Sequence, residues 1–392
     1  MEPEIQPPLP ERQPAVSGPE LLFPAAAHTA LAPGADYCRD LSWVFLGRQG
    51  LRAGWSVLIF FFLSGFPSHA GLFNYIVGTA FYMLHLAANG EELTASAIFY
   101  GELSVALALV GAAAVIAFVE RRRSLLAFNL DGPRRVPHFI SGFAAGFLAL
   151  SLLVGAMNLG GWLHFGPVSL SGAAILKYAV LWGAAFLLVG CVEEGTFRCY
   201  LQFTLARGIN FWWALGIITL LCVNLVMRAR GNGVWGVYAM ALLGLLPCLW
   251  LHIRKTPGSG FWQAAWVTST LFGYIHTSNE GENWIGIFAA ALIGFVFCVS
   301  VRVTGSAWWA IGCHAAWDWA ESYFYGTADS GMVARGHYLS TRPVGNAFWS
   351  GGADGPEGSI LVIGVILLML AALLIIYGRK KPDLLAEKQI AG

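Results

Sequence analysis

Charge is what this sequence has least of. Asp, Glu, Lys and Arg make up 11% of its 392 residues, where a soluble domain carries about 25%. That scarcity excludes a soluble globular enzyme and a disordered chain, and a formal net charge of +1 leaves no field for holding nucleic acid. The seven cysteines (Cys38, Cys191, Cys199, Cys222, Cys248, Cys298, Cys313) form no CxxC pair and mostly lie in apolar runs. Neither a disulfide framework nor a cysteine-based zinc site is implied. HExxH, the helix that zinc peptidases use, is missing. Also missing are a fixed-period repeat and a matched pair of interrupted helices, which argues against a transporter of inverted repeats. The opening Met1-Glu2-Pro3-Glu4 lacks the basic and short apolar regions of a secretory signal.

Hydrophobic residues are what is there. They make up 57% of the chain, with 16 Trp, 26 Phe and a mean hydropathy of +0.63. The apolar runs are each near the 20 or so residues that cross a hydrocarbon core of about 30 Å. The alternating pattern of a membrane barrel is absent, so every span is expected to be α-helical. The expected fold class is an all-α polytopic membrane protein, a bundle of about ten transmembrane helices (eight to ten) with the active site inside the bundle. Spans are expected at 55–85 (kinked at Pro67), 94–119, 137–157, 173–204, 210–227, 233–251, 259–278, 283–301, 306–325 and 359–377. Basic residues follow alternate spans: Arg121, Arg122 and Arg123; Arg207; Arg254 and Lys255; Arg302; then Arg379, Lys380 and Lys381. With Arg48 and Arg52 ahead of the first span, this places both termini in the cytoplasm, while Arg228 and Arg230 break the alternation. Residues 1–40 hold eight of the 17 prolines, a composition that does not order itself. Four regions are therefore expected: a Pro-rich cytoplasmic tail (1–45), N-terminal spans with a basic loop (46–136), a core (137–378) and a basic cytoplasmic tail (379–392).

A charge at the centre of a membrane helix costs at least about 2.5–3.5 kcal/mol, so each one needs a reason. Glu193, Glu194 and Arg198 lie in VGCVEEGTFRCY, His276 in LFGYIHTSNE, and His314, Asp318 and Glu321 in IGCHAAWDWAES. Glu194 and Arg198 are four residues apart and can pair on one helix face, as a structural lock or in a functional role. Glu193 is turned about 100° from Glu194 and points elsewhere, free to act as a general base. His314 and Asp318 share a helix face, and Phe272 lies one turn before His276. His85, His138, His164 and His252 are read as membrane-boundary residues, Glu102 and Lys177 as snorkelling near span ends, and Trp308, Trp309, Trp317 and Trp319 as anchors and packing.

EEGTFR (193–198), LFGYIH (271–276) and HAAWD (314–318) resemble, in order and spacing, the EExxxR, FxxxH and HxxxN/D motifs of the CAAX-protease and bacteriocin-processing (CPBP, or Abi) intramembrane endopeptidases. The resemblance, which takes in the type II CAAX prenyl endopeptidases, covers about residues 137–377. It implies that Glu193 activates a water, that His276 positions it, that Glu194 and Arg198 hold the helix, and that His314 and Asp318 line the oxyanion site. Asp318 stands where the prenyl-substrate branch usually has Asn. An ionised Asp repels an oxyanion, so Asp318 is protonated, orients His314 or binds a cation. Two mechanisms stay open: a Glu-activated, metal-free hydrolysis, and a Zn²⁺ site built from Glu193, His276, His314 and Asp318.

The expected function is an intramembrane endopeptidase that hydrolyses a peptide bond in a membrane-associated peptide or protein (CAAX-type or leader-type processing). Its surroundings are membrane lipid, in a bacterial cytoplasmic membrane, with no nucleic-acid partner. The alternatives are a transporter using the same residues as a proton relay, and an inactive immunity or scaffold protein of the same fold.

Overall fold

The computed structural model describes residues 42–47, 50–66, 68, 70–84, 86, 94–122, 124–229, 234–279 and 281–378. Most of the Pro-rich tail and all of 379–392 lie outside these residues. The described chain is mostly helical: α1 (Ser42–Phe45), α2 (Ala53–Ser64), α3 (Leu72–Met83), α4 (Ala95–Val119), α5 (Arg135–Leu159), α6 (Ala173–Glu194), α7 (Gln202–Ala206), α8 (Phe211–Ala229), α9 (Val234–Ile253), α10 (Ser259–His276), α11 (Trp284–Thr304), α12 (Trp308–Asp318), α13 (Ala347–Ser350) and α14 (Leu361–Tyr377). Among the described residues, five helical stretches are long and apolar enough to cross a membrane: Ala95–Val119, Arg135–Leu159, Ala173–Ala206, Trp235–Ile253 and Trp284–Thr304. Their outer faces expose Leu107, Phe118, Leu148, Val180 and Leu242, as lipid-facing helices do.

The single span expected over 55–85 is instead two helices. Gly65 ends α2 in the left-handed region at φ 76°, and its N–H donates to the Phe61 carbonyl, a turn that a residue with a Cβ adopts only under strain. The spans expected at 173–204 and 306–325 depart from plain α-helix midway. Seven-residue π-helical segments, Gly195–Leu201 and Trp319–Tyr325, follow directly on Glu194 and Asp318. Such segments are rare and gather at functional sites. The spans also leave room for short antiparallel ribbons that the sequence did not announce: β1 (Leu46–Gly47) with β2 (Gly50–Leu51), β3 (Leu163–Val168) with β6 (Leu339–Pro343), and β4 (Ala328–Asp329) with β5 (Met332–Val333).

The main core gathers Leu150, Leu153, Met157, Val296, Phe297, Trp309, Ile366 and Met369 from α5, α11, α12 and α14. At its heart α5 lies directly against α12. A Cβ at Gly142 would run into the Trp309 carbonyl, one at Gly146 into the Cys313 carbonyl, and one at Gly312 into the Phe139 carbonyl. Small residues four apart let two backbones touch, as membrane helix pairs require. That contact sets the height of His314, one residue beyond Cys313. Gly146→Leu is therefore expected to push the helices apart and lower thermal stability in detergent, overpacking of this kind costing about 1–3 kcal/mol. Gly155→Leu on the same helix meets open space and should unfold like the parent.

Candidate active site

Three helices bring the motif residues to one cavity of about 300 Å³, lined by Glu193 from α6, Phe272 and His276 from α10, and His314 and Asp318 from α12. Glu193 and Glu194 part as helical geometry dictates: the Glu194 side chain is 0% exposed and that of Glu193 is 26% exposed. Glu194 turns inward to Arg198, with Oε2 at 3.2 Å from Nε and Oε1 accepting from Nη1 at 3.3 Å. Arg198 is itself fully buried. Its guanidinium lies 4.3 Å from the Phe272 ring centroid and 5.3 Å from that of Phe297, so aromatic faces complete its solvation. Gly294 leaves the room it needs, since a Cβ there would sit 2.6 Å from Nη2.

Glu194 has a second role that spacing could not show. Its Oε1 accepts from His314 Nδ1 at 2.9 Å. A carboxylate holding one ring nitrogen fixes the ring's orientation, so His314 presents Nε2 outward, 3.5 Å from Asp318 Oδ2 and 3.8 Å from Glu193 Oε2. The His314 ring also stacks on Phe297, with centroids 5.9 Å apart. His276 is fixed differently. Its Nδ1 lies 2.8 Å from the Phe272 carbonyl, which only accepts, so Nδ1 carries the proton and Nε2 keeps its lone pair. Phe272 thus serves the site three ways: its ring faces Arg198, it lies 4.7 Å from the His276 ring, and its carbonyl holds His276.

A zinc ion needs three or more donors converging at about 2.0–2.1 Å for nitrogen. Among the described residues, no group of three or more His, Cys, Asp or Glu side chains is placed to hold a metal ion. His314 and His276 each direct Nδ1 to an oxygen, of Glu194 and of the Phe272 carbonyl, and keep Nε2 for the cavity, an orientation that metal-ligating histidines also use. The cysteines among the described residues are free, Cys191 exposed and the others buried.

Several cavity residues were not expected from the sequence. Glu102, read as a snorkelling residue, faces the cavity from α4, and Asp329 and Glu357 reach it from the loops between α12 and α14. Glu102 left one trace: it is the only charge in the 25 residues of α4. Trp317, read as an anchor or packing residue, is buried and donates from Nε1 to Glu357 at 2.7 Å and Glu321 at 3.1 Å. Behind the cavity, Asn283 caps α11, accepting at Oδ1 from Ile285 N at 2.8 Å, while its side-chain amide donates to the Gly358 carbonyl at 3.1 Å. Burial, with Asp329 nearby, pushes the Glu282 carboxyl up to about 7. Burial and the adjacent Glu282 push Asp354 to about 8.

Fold and site together define an integral membrane protein whose helices enclose a carboxylate–imidazole centre. Residues 174–320 match the family described as type II CAAX prenyl endopeptidase Rce1-like. That stretch contains all three motifs, so the likeness to the CAAX-protease family holds over this part of the chain. No curated protein and no solved structure matches the chain.

Proposed function

We propose that the chain is an intramembrane endopeptidase of the CAAX type, cleaving a peptide bond in a membrane-associated substrate with a water activated by Glu193. The observation that carries this reading is the convergence of Glu193, His276 and His314, from three helices, on one cavity. Glu193 accepts a proton from water while the lone pair on His276 Nε2 accepts a hydrogen bond that orients it. The resulting hydroxide attacks the scissile carbonyl carbon. His314, protonated on both nitrogens, donates from Nε2 to the oxyanion while Glu194 holds Nδ1, and Asp318 beside it orients the ring. Collapse of the intermediate breaks the C–N bond, and Glu193 passes its proton to the leaving amine. In this reading the protein resides in a bacterial cytoplasmic membrane with both termini in the cytoplasm.

The test is purified full-length protein in detergent with a peptide ending in a prenylated cysteine and three further residues. Release of the tripeptide is expected. Flux in sealed vesicles without cleavage in detergent would favour the transporter, and neither activity would favour a scaffold.

Asp318→Asn separates the two mechanisms. In the metal-free route the amide still occupies the place beside His314, so turnover should stay within about tenfold of the parent. If zinc is used, the change removes an anionic ligand, and bound zinc and rate should fall together. Metal analysis of parent and variant, paired with the peptide assay, checks this.

A further inference from the structure

Each of the other cavity carboxylates faces a donor or an imidazole within the protein. Glu193 and Asp318 face His314 Nε2 at 3.8 Å and 3.5 Å. Asp329 accepts from Ser322 Oγ at 2.8 Å, and Glu357 from Trp317 Nε1 at 2.7 Å. Glu102 differs: among the described residues no donor or cation meets its carboxyl, which feels Glu193 and His314 through space. It is also the only charge in α4, a helix apolar enough to span the membrane, and it is half-buried at the cavity wall. An intramembrane carboxyl is costly, and where it persists it faces a polar cavity and a partner. Since α4 packs on α6, that cavity is the one Glu193 faces. No Lys or Arg among the described residues lines it, so an entering Lys or Arg side chain meets carboxyl groups there and no residue of its own kind.

We infer that Glu102 is a specificity residue whose counter-ion arrives with the substrate, as a Lys or Arg side chain close to the scissile bond. The inference rests on the endopeptidase reading and deepens it by naming a substrate class. Glu102 lies outside the stretch matched to the endopeptidase family, 174–320, so the preference belongs to this chain's own first helices.

The experiment uses the full-length protein in detergent and a series of prenyl-cysteine peptides. Each carries Lys, Gln or Glu at one of the three positions before or after the cysteine. At one position the Lys peptide is expected to exceed the Gln peptide in kcat/KM by about tenfold or more, with the Glu peptide lowest. Glu102→Gln should lower kcat/KM for the Lys peptide about tenfold more than for the Gln peptide, and Glu102→Lys should turn the preference toward Glu. Equal cleavage of the Lys and Gln peptides by the parent protein overturns the inference and leaves the endopeptidase reading standing. A Glu102→Gln protein that slows every peptide alike, or that keeps the Lys preference, overturns it too. If the parent cleaves none of the peptides, the endopeptidase reading fails and the inference falls with it. The comparison in the parent protein needs no variant, so a substitution that fails to fold does not protect the proposal.

Discussion

Glu193→Gln is expected to lower turnover by about 10²–10⁴-fold, the range by which a positioned base accelerates a reaction. The amide matches the carboxyl in size and hydrogen-bonding reach but accepts no proton. Glu193 is partly exposed to the cavity and forms no ion pair with Lys or Arg among the described residues, while His314 Nε2 lies 3.8 Å from its Oε2. The substitution therefore leaves the bundle's ion pairs alone, and the variant should reach the membrane folded with a parental melting temperature. Both are measured on one preparation, peptide release for rate and thermal unfolding in detergent for stability. Parental cleavage by Glu193→Gln would remove Glu193 from the chemistry.

Arg198→Ala is expected to act on stability first. Arg198 and Glu194 are fully buried partners, and deleting one side of a buried pair costs about 3–5 kcal/mol because the other charge is stranded. The consequence spreads, since the same Glu194 oxygen that meets Arg198 also holds His314. Lower folded yield, a lower unfolding midpoint and lost turnover should appear together. Normal folding with turnover alone lost would mean that Arg198 acts in the chemistry and not as the lock.

How much of this was legible beforehand depends on the distance over which each signal acts. Glu194 and Arg198 are one turn apart, so their pairing could be read from helical geometry, as could the outward turn of Glu193. The link from Glu194 to His314 crosses 120 residues, and no local period encodes it. Nor did the hydropathy around 55–85 show a break, because Gly65 costs little hydrophobicity while its φ of 76° ends the helix. The Asp329 and Glu357 contributions come from loops folded back over the bundle, where sequence distance says nothing about proximity. Glu102 was visible as an isolated charge, but the face it occupies is decided by how α4 packs on α6.

The two π-helical segments make helix length, as well as residue identity, a carrier of the fold. A π turn accommodates one residue more than an α turn. The same residues wound as continuous α-helix would have everything downstream turned by about 100°. Glu193 and Glu194, upstream of the change, would keep their places. Tyr200 would not: its ring is stacked 3.8 Å from Phe60 and its hydroxyl donates to the Ser56 carbonyl at 2.9 Å. In a plain α-helix the motif half and the half that grips α2 would be out of phase, and the wider turn is what lets both dock at once.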